Sequence, residues 1–280
     1  MRGETSGEKD PQGLLAPMGR FIPTHPTTKR AAERILRPCA KPTMHELKEF
    51  YEQDAERFWN PREGLQGRDR TIYPLLDGLS GSVLEYGCGA GSLLLHLARE
   101  ARFQSLTGVD ISERALERIE TAARDLGVSA KVSLTAPARD TLPQIPSGSI
   151  DVLLSLDTIE HVLDPYVVLD ELSRIGSRDS VFVISVPNYG YIKHVVKLAM
   201  GRQPITGGGE PVENWRTAGW DGWHLHTFTK QSLRALLLDC GWEPVRWTGY
   251  GDKFKLIEPL RTRYPAFWSG ALTVVCRKSR

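Results

Sequence analysis

Seven consecutive residues, Glu85-Tyr86-Gly87-Cys88-Gly89-Ala90-Gly91, carry the densest chemical signal in the chain. Alternating glycines permit a tight turn and let a ligand approach bare backbone. A helix starting just after them would add free N–H groups and a positive dipole end. Asp110 falls where the next strand ends, and a carboxylate there can accept hydrogen bonds from both hydroxyls of a ribose. The spacing differs from a nicotinamide dinucleotide loop: Gly-x-Gly-x-x-Gly would need glycine where Ser92 stands. Three histidines, His161, His224 and His226, can exchange a proton near neutral pH, with Glu160 as orienter or acid. His226 ranks first among them. Each also has a plainer use, His161 at a helix start and the other two in pinning a loop.

Elements of matching pattern surround these residues. Val83–Tyr86 reads as a short strand and Ser92–Glu100 as a helix. Ser105–Val109 is a strand ending at Asp110, and Ser112 caps a helix to Leu126. Strands at 130–135, 150–156 and 181–186 follow, with a helix from Pro165 to Ile175 and a stop at Pro187. Alternating strands and helices imply right-handed units and a parallel sheet covered on both faces. After Thr229 come a helix, a strand near Val245 and a last strand at 271–275, close enough in sequence to pair antiparallel. Upstream, Thr43 and Glu46 form a capping box before Leu47, Phe50, Tyr51, Ala55 and Phe58 at helical spacing, and a second helix ends near Leu79.

Length and composition set the frame. The 280 residues suit one large domain with appendages, and 40% apolar with 25% charged residues is a soluble globular balance. Thirty-six basic against 34 acidic residues leave a net charge of +2, with no pull toward nucleic acid. Cys39, Cys88, Cys240 and Cys276 are too scattered for a metal site and fit free thiols in a reducing cytoplasm. The first residues show no apolar signal segment, and no apolar run is long enough to span a bilayer. Residues 1–44 read as an N-terminal extension, partly mobile, with a basic helix candidate between Lys29 and Lys41. Residues 45–280 form the domain proper.

The glycine loop preceded by Glu85 resembles the first motif of class I S-adenosylmethionine-dependent methyltransferases. The resemblance continues through Ile150–Ser155 with Ile159–Pro165, through Pro187-Asn188, and through His224–Thr229 with Gly241-Trp242. It implies a Rossmann-like α/β fold: a seven-stranded, mostly parallel sheet with an antiparallel C-terminal strand, helices on both faces and a cap insert at 188–226. It also implies S-adenosyl-L-methionine as cofactor, S-adenosyl-L-homocysteine as product, and a methyl acceptor that is a small molecule. Carried over residue by residue, Gly87, Gly89 and Gly91 line the methionine and ribose portion and Asp110 holds the ribose. Glu85, Cys88, Ile111 and Leu156 complete the expected cofactor set. Where many members have Gly-Asp-Ala, this chain reads Ala136-Pro137-Ala138-Arg139-Asp140. Either Asp140 binds the adenine from a neighbouring position, or backbone and apolar contacts hold it.

Arg174–Gly176, Val186–Tyr191, Gly201–Thr206 and the His224–His226 region resemble the MetW proteins, which have this fold but accompany homoserine acyltransferase. That similarity leaves open a regulatory accessory role, with a homodimer or a metabolic-enzyme partner. The insert holds Tyr189, Tyr191, Trp215, Trp220 and Trp223. These aromatics either enclose a substrate together with Glu160 and Asn188, or form a satellite core under the loop. Tyr191–Met200 reads as a helix that packs as a lid or lies on a partner. The stretch from Gly251 to Ser269, with Phe254, Tyr264, Phe267 and Trp268, reads as a loop walling a pocket or a dimer contact.

Overall fold

A computed structural model describes residues 42–58, 64–65, 67–138, 141–207, 221, 224–251 and 258–279. Helix α1 (Met44–Phe58) starts at the expected box: the Thr43 amide donates to Glu46 Oε2 at 2.8 Å and the Glu46 amide to Thr43 Oγ1 at 3.2 Å. The short α2 (Asp69–Ile72) runs into a 3₁₀ turn, Tyr73–Leu76. Then come β1 (Gly81–Tyr86), α3 (Ser92–Ala98), β2 (Phe103–Val109), α4 (Glu113–Asp125), β3 (Val132–Thr135) and β4 (Ile150–Leu156). Next are α5 (Pro165–Ile175), β5 (Gly176–Pro187), α6 (Ile192–Ala199), α7 (Lys230–Asp239) and β6 (Trp242–Tyr250). The chain continues through α8 (Glu258–Arg263), α9 (Pro265–Trp268) and β7 (Ala271–Lys278).

The strands form one sheet in the order β3-β2-β1-β4-β5-β7-β6. β7 is antiparallel to both of its neighbours, and the other described pairings are parallel. Strand order reverses beside β1, so β1, β2 and β4 converge with their carboxyl ends on the crevice where ligands bind in such sheets. Alternation along the strands feeds two cores. Val83, Val152, Leu154 and Val183 pack with Leu94, Leu97 and Ile119 of α3 and α4. Leu84, Leu153, Phe182 and Ile184 pack with Leu169, Leu172 and Leu233 of α5 and α7, and Trp242 joins that face.

Helix starts follow their sequence signals. Ser112 Oγ accepts from the Ala115 amide, Asp164 caps α5 ahead of Pro165, and Thr229 with Ser232 forms a capping box on α7. Several bounds shift by two or three residues, and two expectations change by more. Strand β5 begins at Gly176, five residues earlier than Val181, because Gly176 and Ile150 already pair. The stretch after Gly251, expected to be a loop, contains α8 and α9. Pro265 supplies the helix-starting φ for α9, a position where its missing N–H costs nothing. Cys88, Cys240 and Cys276 are free and buried. Among the described residues, no helix is long and apolar enough to cross a membrane. Cys39 and the basic helix candidate at 29–41 lie outside the described residues.

Candidate functional site

The glycine loop joins β1 to α3, and each glycine serves a different contact. Gly87 has φ +74°, and a Cβ there would fall 2.2 Å from the Thr158 methyl. Gly91 has φ +67°, and a Cβ there would meet Ile119 at 2.6 Å. A side chain at either position would therefore be strained and would collide. Gly87, Cys88, Gly89 and Ala90 line a cavity of ≈ 350 Å³; Gly91 is buried behind them and does not line it. That corrects the expected ligand contact of Gly91: its bareness serves packing on α4.

Asp110 lies on the facing wall, 5% exposed, with Ile111 next to it. Its Oδ2 accepts from the Gly89 amide at 2.8 Å and its Oδ1 from the Ser112 amide at 3.0 Å. Burial pushes this carboxyl up to about 6, against the lowering effect of those two amides. A carboxylate has about four lone-pair directions, so it keeps acceptor capacity for two ribose hydroxyls. Glu85 sits beneath the loop at 2% exposure and outside the cavity wall. Burial raises its carboxyl to about 8, so it is mostly protonated at neutral pH. Leu156 lines the cavity as expected. Pro137 lines it where the unusual segment passes, while Asp140 lies outside the described residues. Pro137, Val109 and Leu156 make that part of the wall apolar.

Several wall residues carried no sequence signal. Helix α1 contributes Met44, Leu47 and Tyr51. Arg68 donates from Nη1 to the Leu156 carbonyl at 2.6 Å and to Asp157 Oδ2 at 3.1 Å. Burial would lower the Arg68 pKa, but Asp157 and its other acidic neighbours outweigh it and raise it. Asp157 also accepts from Ser185 Oγ at 2.7 Å and from the Tyr250 hydroxyl. It holds φ 52°, the one non-glycine positive φ among the described residues. Such strain persists only where the surroundings over-determine it, here through four hydrogen bonds at the end of β4 counting its own amide to the Ser185 carbonyl. Sequence offered one hint, an acid at a strand's carboxyl end.

The histidines divide. His161 lines the cavity beyond Thr158. Its Nε2 is 3.9 Å from Glu160 Oε1, and its ring meets those of Tyr51 and His224 edge to face, with centroids 5.7 and 4.6 Å away. Glu160 is 1% exposed, and neither carboxyl oxygen has a hydrogen-bond partner among the described residues. Burial raises it well above the carboxylate range. A Glu160 oxygen and one nitrogen from each of His161 and His224 lie within 4.8 Å of one another, a grouping that could hold a metal ion. His224 stands behind His161, off the wall. Thr206 Oγ1 donates to Asp221 Oδ2, so its contact with His224 Nδ1 at 2.6 Å requires the nitrogen to donate. Burial acts to raise Asp221, but His224 beside it at 3.8 Å and hydrogen bonds from Thr206 and the Gly207 amide hold it at about 2.

His226, ranked first from sequence, is turned away from the cavity. Its Nε2 donates to the Val162 carbonyl at 2.9 Å, and its amide and that of Leu225 donate to the Glu160 carbonyl. It pins the returning chain, the plainer of its two uses. Asn188 also leaves the expected substrate set. It is fully buried, its Nδ2 donates to the carbonyls of Pro265, Ala266 and Ser269, and its Oδ1 accepts from Gly190. Tyr189 bonds Phe228 through its amide and lines neither described cavity nearby. Tyr191 lines a second cavity of ≈ 370 Å³ with Asp157, Lys193, Thr206, Tyr250 and Arg261. Asp157 thus separates two hollows on one rim. Trp215, Trp220, Trp223 and Phe254 lie outside the described residues.

A doubly wound sheet with a glycine loop after β1, a carboxylate after β2 and an antiparallel last strand defines the class of S-adenosylmethionine-binding transferases. The family model described as a methyltransferase domain matches residues 45–246, and the chain belongs to that family. A ubiquinone biosynthesis O-methyltransferase from Caulobacter vibrioides is 26% identical over 234 residues, covering 83% of this chain and 76% of the relative. An ajmaline N-methyltransferase from Rauvolfia serpentina is 29% identical over 103 residues, 37% of this chain and 35% of that protein. The fold matches geranyl diphosphate C-methyltransferase from Streptomyces coelicolor A3(2), solved with S-adenosyl-L-homocysteine, with TM-score 0.57 and 12% identity over 86% of this chain and 99% of that one. The chain is an S-adenosylmethionine-dependent methyltransferase. Relatives named as O- and N-methyltransferases favour turnover over the accessory role implied by the MetW resemblance.

Proposed function

We propose that this enzyme moves a methyl group from S-adenosylmethionine to an oxygen, nitrogen or carbon of a small acceptor that reaches the cofactor from the His161 side. The observation that carries this is a single cavity with the glycine loop and Asp110 at one end and His161 at the other. When bound, the cofactor supplies an electrophilic methyl on a sulfonium. Asp110 accepts from its ribose hydroxyls, and the backbone of Gly87–Ala90 admits it closely. Val162 and Leu163, which follow His161 along the wall, exclude water from the reacting end, and alignment in that dry space supplies much of the rate. His161 takes the proton of a hydroxyl or amine acceptor. Glu160 Oε1 stands 3.9 Å from His161 Nε2, where its carboxyl orients the imidazole for that step.

The names of the O- and N-methyltransferase relatives support a small-molecule acceptor. Thermal unfolding with S-adenosylhomocysteine, S-adenosylmethionine and NAD in parallel tests the cofactor. A ligand at 100 times its dissociation constant adds about 2.7 kcal/mol to the native state. Both sulfur nucleotides are expected to raise the transition and NAD to leave it unmoved. A screen of phenols and amines, read by S-adenosylhomocysteine release, then tests turnover.

A further inference from the structure

We propose that Glu52 is a positioning residue for the cofactor, latching helix α1 onto the first turn of α4 and so closing a roof over the ribose end of the cavity. The inference rests on reading that cavity as the cofactor site. α1 stands before β1 in sequence and belongs to neither the glycine loop nor the sheet, yet Met44, Leu47 and Tyr51 line the same cavity as Cys88–Ala90. Leu47 and Ala55 are buried at 2% and 0% exposure.

The attachment is polar and concentrated at one place. A helix begins with amides that have no partner inside the helix, and a side chain of the same segment usually caps them. On α4, Ser112 caps Ala115 in that way. Glu52 reaches across from α1 to take the rest: its Oε1 accepts from the Glu113 amide at 2.8 Å, and its Oε2 from Ser112 Oγ at 3.0 Å and the Arg114 amide at 3.2 Å. Ser112 is the shared member. Its hydroxyl donates to Glu52 and its amide donates to Asp110 Oδ1, while Asp110 Oδ2 holds the Gly89 amide. One hydrogen-bonded run therefore links the roof, the ribose carboxylate and the glycine loop. Lys48 pairs with Glu113 at 2.5 Å, and Arg118 donates to the Ala55 carbonyl, so the same helix face is fastened one turn to either side.

The arrangement has a functional consequence. With the roof latched, water is kept from the hydrogen bonds that Asp110 offers a ribose, and a bound nucleotide leaves only after α1 lifts. Releasing Glu52 frees the Glu113 and Arg114 amides to water, so the open state keeps those donors satisfied and the latch is reversible. Glu52 touches neither cofactor nor acceptor and acts through Ser112 and Asp110.

The test compares the full-length wild type with Glu52→Gln, following S-adenosylhomocysteine binding by stopped flow. The amide retains the shape but loses the charge-assisted bonds, so dissociation should quicken about tenfold while association changes little. A merely structural staple would lower the unfolding temperature and leave the dissociation rate of the folded protein as it was. That result overturns the proposal. Trypsin on the wild type gives a readout that needs no variant: S-adenosylhomocysteine should slow cleavage after Lys48, because the helix must open to be cut. Equal cleavage with and without the nucleotide overturns the latch. Wild-type protein that binds no S-adenosylhomocysteine at all overturns the cofactor reading itself, and this inference with it.

Discussion

The two ends of the cavity are built by different means. At the cofactor end, the polar ligand-facing groups are backbone of one loop and one carboxylate, all within 24 residues of Gly87 along β1, α3 and β2. At the acceptor end, His161 stands with Tyr51, Arg68 and Asp157, delivered by helices and strands far apart in sequence. Polar residues that looked free there, Asn188 and His226, spend their hydrogen bonds on the chain itself. A site made of local turn geometry advertises itself in sequence. A site assembled by packing does not, and polar side chains near it are as often clamps as reagents.

Exchanging the acceptor-end histidine separates the two ends most sharply. His161→Ala is expected to lower kcat about 10² to 10⁴-fold for a hydroxyl or amine acceptor while S-adenosylhomocysteine affinity holds. Steady-state kinetics with calorimetric binding checks it; a parallel fall in affinity would merge the two ends into one. Asp110→Asn should do the reverse and weaken S-adenosylhomocysteine by about 100-fold, an effect of charge-assisted bonds lost from a buried site. Lowering the pH mimics that change. The carboxyl titrates at about 6, so affinity should fall from pH 7 to 5, by up to about tenfold per unit below 6.

Asn188→Ala should cost stability of about 2 kcal/mol, because three carbonyls and an amide lose their partner inside the protein. Denaturant unfolding would measure it, and nucleotide affinity should stay within twofold at temperatures where the variant is folded. The remaining effect is at Glu85, read as a slope with pH. Its folded pKa is raised to about 8 from 4.5, so its contribution is fully present below pH 4.5 and is lost as pH rises to 8. Relative to Glu85→Gln, wild type should lose on the order of 1 kcal/mol per pH unit across that window and level off above it. Parallel unfolding from pH 5 to 9 would show a flat difference if Glu85 were ionised throughout.

Much of the fold was legible because its signals are local. The strand at 150–156 and the helix from Pro165 to Ile175 have the bounds that their apolar run and their Asp164-Pro165 start suggest. The Thr43 box and the Ser112 cap formed as expected. The cofactor loop was legible for the same reason, save for Gly91, whose partner Ile119 lies in another helix and leaves no trace in the motif. α8 and α9 were missed because a stretch broken by Pro259 and Pro265 carries too few turns for a helical period to show. The roles of Arg68, Asp157 and Glu52 depend on distances between segments that only the folded chain sets.

The placement of β7 governs how the protein can fail. It is inserted between β5 and β6, pairing Phe182 with Cys276 and Ile184 with Val274 on one side and Trp247 with Val274 on the other. Until it docks, β5 presents a bare edge on a strand whose residues from Ser180 to Val186 are all buried in the finished sheet. Such an edge invites pairing with another molecule. A chain cut before Ala271 would therefore self-associate through Val181–Val186 rather than persist as a weakened monomer. Docked between β5 and β6, β7 thus acts as an internal guard against aggregation.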